Sequence, residues 1–184
     1  GWLALSTVYG VADRIDAGIA DAHKLQKEYP VRAGGFALEG ELLARQKKCD
    51  AAATADRDAI AREPLPLLSV RLYSALQASG KTEQANVMAQ RWQKEHPSDA
   101  LLQDFQGQQA VAAKDYRAAV QHFNAVIAVE PENTAALNNL AWTLNELGDP
   151  KALEYAERAS ALAPFAPAIM DTQGWILVQH GDAA

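Results

Sequence analysis

The spacing of five prolines constrains this chain more than any other feature. The steps in sequence number between Pro30, Pro64, Pro97, Pro131 and Pro164 are 34, 33, 34 and 33. Each proline follows an apolar run, and proline disfavours helix both at its own position and in the residue before it. The spacing therefore predicts a repeating unit in which the last helix ends just before the proline.

Small residues recur at two fixed distances from these prolines. Twelve positions before each proline stand, in order, Gly18, Ala52, Ala85, Ala119 and Ala152. A second set lies a further twelve positions upstream, or eleven in the unit with a deletion near Gly148: Ser6, Gly40, Gly107, Ala141 and, by extension, Gly174. Two antiparallel helices approach closely only where neither carries a large side chain. Each unit is therefore predicted to be a helix hairpin.

The composition and the turn residues favour an all-α chain. Apolar residues make up 49% of the sequence, and Ala and Leu, which are strong helix formers, dominate among them. Gly80 and Gly148 suit left-handed helix ends, and Asp149 with Pro150 suits an N-cap followed by a first-turn proline. The predicted helices span approximately 2–11, 15–29, 33–46, 50–62, 66–78, 82–95, 99–112, 116–129, 134–146, 151–162 and 167–179.

A helix–turn–helix of this length with small, aromatic and proline positions in this order resembles the tetratricopeptide repeat (TPR) family. Gly107, Tyr116, Ala119, Phe123 and Pro131 carry the resemblance in one unit. It implies one right-handed α-solenoid of about five and a half repeats. The expected repeats cover approximately 1–32, 33–65, 66–99, 100–133, 134–166 and the half repeat 167–184. Glu39 and Asp56 depart from the pattern, because the family usually places apolar or aromatic groups there.

The last third is similar to a narrower bacterial group. Residues 138–159 and 162–178 resemble the C-terminal repeats of TPR lipoproteins encoded with exosortase (PEP-CTERM) sorting and exopolysaccharide systems. This resemblance implies a lipid-anchored, extracytoplasmic protein in surface-protein sorting or polysaccharide assembly. The sequence itself leaves a cytoplasmic location open.

The sequence lacks the residues that several classes of function require. Four histidines lie in different units without metal-ligand spacing, and a single cysteine permits neither an internal disulfide nor a multi-thiolate site. No nucleophile or phosphate-loop motif occurs. The net charge is −6 and the basic residues are scattered, which disfavours nucleic acid. We therefore predict no catalysis, no metal and no cofactor.

What remains is the inner surface of the solenoid. In TPR arrays the first helix of each unit lines a concave groove. The side chains expected to face that groove are Glu41, Arg45, Ser74, Gln77, Asp104, Gln108, Asn138, Trp142, Asn145, Asp171, Trp175 and Gln179. Asn138, Trp142 and Asn145 share one helical face, while Leu137, Leu140 and Leu144 form the buried side.

Trp142 and Trp175 occupy equivalent places in adjacent units. Indoles flanked by amides could hold a peptide or a sugar ring, and the alternative is that they pack under the neighbouring unit. Arg45 is the one clear base of the groove, so clamping of a terminal carboxylate is disfavoured and a neutral or basic ligand fits better.

Three functional hypotheses follow. The leading one is a scaffold that binds a peptide or protein segment. The second is a periplasmic module that contacts polysaccharide in an export system, and the third is a regulatory TPR segment of a larger enzyme. Because the last unit has no second helix in this sequence, we also expect Ile176 and Leu177 to be partly exposed and this end of the chain to self-associate.

Overall fold

The computed structural model describes residues 1–11 and 14–181, which contain eleven α-helices and no strand. The helices are α1 (Trp2–Val11), α2 (Ile15–Glu28), α3 (Gly34–Arg45), α4 (Cys49–Arg62), α5 (Pro66–Ala78), α6 (Thr82–Glu95), α7 (Leu101–Ala112), α8 (Tyr116–Val129), α9 (Thr134–Glu146), α10 (Ala152–Leu162) and α11 (Pro167–His180). The all-α prediction is confirmed, and each predicted helix end lies within two residues of the observed one. None of the helices in the described ranges is long and apolar enough to cross a membrane.

The five spaced prolines act as helix terminators. Helices α2, α4, α6, α8 and α10 end at residues 28, 62, 95, 129 and 162, so a proline stands two residues after each. The residue between has φ from −124° to −141°, within the extended range that a following proline favours. The turns inside two hairpins use Gly80 and Gly148 at φ +75° and +68°, as their sequence predicts.

Except for Gly174, which is exposed, the small residues lie where paired helices meet. All five residues twelve positions before the prolines are buried. A Cβ added to Gly107 would lie 2.7 Å from Cε1 of Phe123, which explains why α7 carries glycine opposite that ring. In the α5–α6 hairpin the large side chain is on the first helix and the small one is on the second, the reverse of the α7–α8 hairpin. Tyr73 stands at the position that Gly107 occupies on α7 and is 7% exposed, and Ala89, at the position of Phe123, is 5% exposed.

The chain forms two compact units, residues 1–97 (unit 1) and 98–184 (unit 2). In unit 1, α3 packs against α1, α2 and α4, and α5 packs against α4 and α6. In unit 2, α9 is central and packs against α8, α10 and α11. Leu137, Leu140 and Leu144 are 0%, 0% and 5% exposed, which confirms the predicted buried face of α9. The predicted repeat boundaries stay a prediction.

Two local predictions are wrong. Ile176, expected to be partly exposed, is 0% exposed, because it faces back onto α9 and joins the core of Phe123, Leu140 and Leu144. Asp149 is not the N-cap of α10, which begins at Ala152. Its Oδ1 accepts a hydrogen bond from the Lys151 amide at 2.9 Å, and its carbonyl accepts one from the Ala152 amide at 3.1 Å. A tight turn of the i to i+3 type therefore precedes the α-helix.

Candidate ligand-binding site

Three of the predicted groove residues meet in one cleft of unit 2. Gln108 of α7 and Asn138 and Trp142 of α9 line a cleft of about 460 Å³, which we call the inner cleft. Its lining is completed by Val111, Phe123, Asn139, Ala168 and Thr172. Helix spacing explains the meeting, because Asn138 and Trp142 are one turn apart on α9, on the side away from its buried leucines.

Residues at equivalent positions of neighbouring hairpins approach one another across unit 2. Asn145 and Gln179 are 34 residues apart, and Nδ2 of Asn145 donates a hydrogen bond to Oε1 of Gln179 at 3.0 Å. Asn145 is only 8% exposed, so its amide ties α9 to α11. Asp171 and Gln179 of α11 are exposed. The structure therefore gives Asn145 a structural contact, although the sequence placed it with the ligand-facing residues.

Two oxygens accept no hydrogen bond from the described residues: one belongs to Asn138, which lines the inner cleft, and the other to Asp104, which contacts the lining residue Gln108. Oδ2 of Asp104 accepts one from Nε2 of Gln108 at 2.7 Å, but Oδ1 of Asp104 is buried without a partner. Oδ1 of Asn138 is buried without a partner as well. Burial raises the pKa of the Asp104 carboxyl above its usual value, and the charge of Glu130 raises it further against the lowering effect of the Gln108 bond. A buried acceptor without a donor is costly.

The two candidate indoles have different surroundings. Trp142 is half-buried, and its ring meets Tyr116 edge-on, with the ring centres 5.7 Å apart and the planes at 81°. Trp175 is 54% exposed. The aromatic neighbour of Trp142 thus comes from α8, the second helix of the preceding hairpin. A paired-indole surface for a ligand stays a prediction.

The predicted groove residues of unit 1 contact their own neighbours. Nε of Arg45 lies 3.1 Å from Oε1 of Glu41 on the preceding turn of α3. Nε2 of Gln77 donates to the Tyr73 hydroxyl at 2.9 Å, and Ser74 is exposed. Their role in binding also stays a prediction.

Arg71 is a base of this surface that sequence reasoning missed. Its Nη2 lies 2.8 Å from Oδ1 of Asp56, its Nη1 lies 3.6 Å from Oε2 of Glu41, and its guanidinium lies over the Trp2 ring at 4.7 Å. The sequence carried a signal, because Arg71 lies one helical turn before the predicted groove residue Ser74. Burial lowers the pKa of Arg71, and it raises the pKa of Asp56 to about 7.

A second cleft, of about 700 Å³, lies among α4, α5 and α6 of unit 1. Apolar side chains dominate its lining, including Ile60, Leu72, Leu76, Met88 and Trp92. Trp92 is 4% exposed, so its indole belongs to the core. The charged residues at this cleft include both signs: Arg57, Arg91, Glu83 and Glu95.

Comparison with known proteins finds similarity to tetratricopeptide repeat proteins. Residues 110–169 match the family model of the tetratricopeptide repeat. A TPR repeat-containing protein of Pseudomonas aeruginosa is 32% identical over 130 residues, which are 67% of this chain and 22% of that protein. Tetratricopeptide repeat protein 36 of Danio rerio is 43% identical over 61 residues, which are 33% of each chain. The chain thus spans a third or less of these relatives.

Solved structures of low identity show the same fold. YrrB, described as a TPR protein with an unusual peptide-binding site, matches with a TM-score of 0.59 at 16% identity over 94% of this chain and 90% of its own. PilW, a type IV pilus biogenesis factor, matches with a TM-score of 0.64 at 16% identity over 98% and 84%. Yeast Tom70 matches with a TM-score of 0.71 at 15% identity over 89% and 36%. The expected TPR solenoid fold is confirmed, and the narrower resemblance to PEP-CTERM lipoproteins stays a prediction.

Proposed function

We propose that this chain carries tetratricopeptide repeats and is a non-catalytic scaffold. In this proposal it binds a segment of a partner protein in the inner cleft. One observation carries this proposal: Gln108, Asn138 and Trp142 line a single cleft of about 460 Å³ in unit 2. Ligand sites usually combine an apolar wall with a few placed polar groups, and this cleft combines an indole with amides.

The chemistry of the cleft suits an extended peptide. Side-chain amides both donate and accept, so they can pair with the N–H and C=O groups of a peptide backbone. The half-buried Trp142 offers a rigid apolar contact for one ligand side chain. The fold shared with YrrB, whose description names a peptide-binding site, supports the same use here.

The test is a peptide selection followed by mutation. Random peptides of a dozen residues displayed on phage are selected on the purified chain, and affinities of the enriched peptides are measured by fluorescence anisotropy. We expect Trp142→Ala to weaken binding about thirtyfold, because a buried indole anchor contributes roughly 2 kcal/mol. Trp175→Ala is the matched control, since that indole does not line the inner cleft.

Two results would contradict the proposal. One is that enriched peptides bind the Trp142→Ala and Asn138→Ala variants as tightly as the original chain. The other is that Trp142→Ala and the milder Trp142→Phe both unfold unit 2, measured by circular dichroism, because the indole would then be core.

For the biological setting we propose an extracytoplasmic, lipid-anchored protein that acts in surface-protein sorting or exopolysaccharide assembly. The resemblance of residues 138–159 and 162–178 to PEP-CTERM-associated lipoproteins supports this setting. Fractionation of the full-length gene product tests it. Recovery in the membrane fraction with a covalently attached lipid is expected, and recovery as an unmodified cytosolic protein would refute it.

An exposed indole favours polysaccharide as an alternative ligand. Trp175 is 54% exposed, and a flat aromatic face can hold a sugar ring. Titration of tryptophan fluorescence with neutral and acidic polysaccharides separates this alternative. A saturable change that Trp175→Ala abolishes would favour carbohydrate. The third hypothesis, a regulatory segment of an enzyme, is decided by the full-length reading frame.

Exposed apolar side chains at the end of unit 2 support self-association. Phe165 is 91% exposed, and Met170 and Val178 are 54% and 59% exposed. Exposed apolar clusters often mark contacts between molecules. Sedimentation of the chain and of its Phe165→Ser variant tests this: a concentration-dependent oligomer that the substitution dissolves is expected, and a monomer at all concentrations would refute it.

A further inference from the structure

We infer that the partner segment bound in the inner cleft carries a lysine or arginine whose cation is received by Asp104. This inference rests on the proposed function and names the chemistry of the ligand. Three features of unit 2 carry it: the charge of the inner helices, two acceptor oxygens without a hydrogen-bond donor, and the aromatic wall.

The inner helices of unit 2 carry acids and no basic side chain of the Lys or Arg type. Over α7, α9 and α11 the acidic residues are Asp104, Glu146 and Asp171, and neither Lys nor Arg occurs. A groove with one sign of charge attracts ligands of the opposite sign and disfavours those of the same sign. An acidic segment would be repelled, so the field of this surface selects a basic one.

Asp104 supplies the specific acceptor. Gln108 donates to its Oδ2 at 2.7 Å, which fixes the carboxylate, while its Oδ1 is buried without a donor among the described residues. Glu130 lies close enough for its charge to act on Asp104. An ammonium or guanidinium group that displaces the atoms covering Oδ1 would supply the missing hydrogen bond and offset the repulsion between the two carboxylates.

The remaining lining suits the rest of a basic side chain. Trp142 lies one turn after Asn138 on α9, at the position that Gln108 occupies on α7. Its indole can cover the methylene stem of a lysine or arginine, and it attracts the cation itself. Oδ1 of Asn138, which is also buried without a partner, can accept a backbone N–H of the same segment.

Unit 1 differs in the corresponding part of its inner helix α5. In the repeat register Val70 is the counterpart of Asp104, so the acid is absent, and the next residue is the base Arg71. The Arg71 guanidinium is 2.8 Å from Asp56 and 3.6 Å from Glu41, so this part of α5 presents a paired cation. A basic ligand is therefore expected at unit 2 and not at the corresponding part of unit 1.

The experiment uses the peptides enriched by phage selection on this chain, with each Lys or Arg replaced in turn by norleucine or glutamate. We expect enrichment of Lys or Arg, and we expect Asp104→Asn to weaken binding about tenfold or more, as loss of a charge-assisted hydrogen bond does. The same variant should bind the norleucine peptide as the original chain does. Glu157→Gln, an exposed change on α10 that removes the same charge, is the control and should change affinity by less than about twofold.

The outcomes separate this inference from the proposed function. If no peptide depends on Trp142, the proposed function fails. If peptides depend on Trp142 but show no enrichment of Lys or Arg, or bind the Asp104→Asn variant unchanged, the proposed function stands and the inference is overturned. Circular dichroism of each variant confirms that the helices are retained.

Discussion

Replacing Asp56 by Asn should remove a pH dependence of stability from unit 1. Asp56 of α4 is 1% exposed, and its Oδ1 lies 2.8 Å from Nη2 of Arg71 on α5. No hydrogen bond of good geometry joins them, because Oδ1 of Asp56 and both Nη atoms of Arg71 are buried without a hydrogen-bond partner. Burial raises the pKa of Asp56 from 3.8 to about 7, because the charge of Arg71 offsets only part of the loss of water around the carboxylate and the charge of Glu41 adds to the rise.

Proton linkage gives the sign and the size of this pH dependence of stability. The folded state holds the Asp56 proton up to about pH 7, whereas the unfolded chain releases it near 3.8. The folded state thus binds more protons between these values, and the free energy of unfolding falls as pH rises, by about 1.4 kcal/mol per pH unit. From pH 5 to pH 8 the loss is about 2.6 kcal/mol. Asn does not titrate, so Asp56→Asn should lack this loss.

The assay is urea unfolding at pH 5 and pH 8 at constant ionic strength. Trp142→Phe and Trp175→Phe form the background of both proteins, so that fluorescence reports on Trp2 and Trp92 of unit 1. The difference between the two proteins isolates Asp56, because every other titratable group is common to both. Equal pH slopes for the original residue and Asn would refute the reasoning, because Asp56 would then be ionised throughout.

Substitutions of Asp56 and Arg71 test the free-energy cost of burying these two charges. At pH 8, where Asp56 is ionised in the folded state, Asp56→Ala should cost about 3–5 kcal/mol, since it leaves the buried Arg71 without its closest counter-charge. The double variant Asp56→Leu with Arg71→Met should be about as stable as the original chain or more so, because apolar groups replace two poorly hydrated charges. A double variant less stable than Asp56→Ala alone would show that the pair stabilises unit 1.

Two further predictions concern the hairpins of unit 2, and both are measured as urea midpoints. Gly107→Ala should cost about 1–3 kcal/mol, because the new methyl would lie 2.7 Å from the Phe123 ring. Gly174→Ala is the matched control, because no atom lies within 4 Å of its new Cβ. It should gain up to about 1 kcal/mol from helix propensity. Equal effects at the two glycines would contradict the close approach of α7 and α8. Asn133→Ala should cost about 1 kcal/mol, because Oδ1 of Asn133 caps α9 by accepting from the Ala136 amide at 2.9 Å; Asn133→Ser should retain most of the stability, and equal losses would refute the cap.

The sequence by itself determined the helices and their pairing, because these depend on rules that act between residues close together in the chain. Proline cannot continue a helix that precedes it, and small residues mark where two helices can touch. These rules need no knowledge of distant residues, so the helix ends, the hairpins and the buried face of α9 at Leu140 could all be predicted. The recurring spacing then predicted the length of the repeating unit.

Only the tertiary structure decided how the polar and charged side chains are used. Asn145 was predicted to face a ligand, yet it bonds to Gln179 across 34 residues, and Arg71 was missed because its partner Asp56 lies on another helix. Ile176 is buried because it packs against Phe123 and Leu140, which lie on other helices. A side chain at a given helical position can reach solvent, a neighbouring helix or a ligand at similar cost in rotamer energy. The choice depends on groups that only the packed chain brings within hydrogen-bond or contact distance.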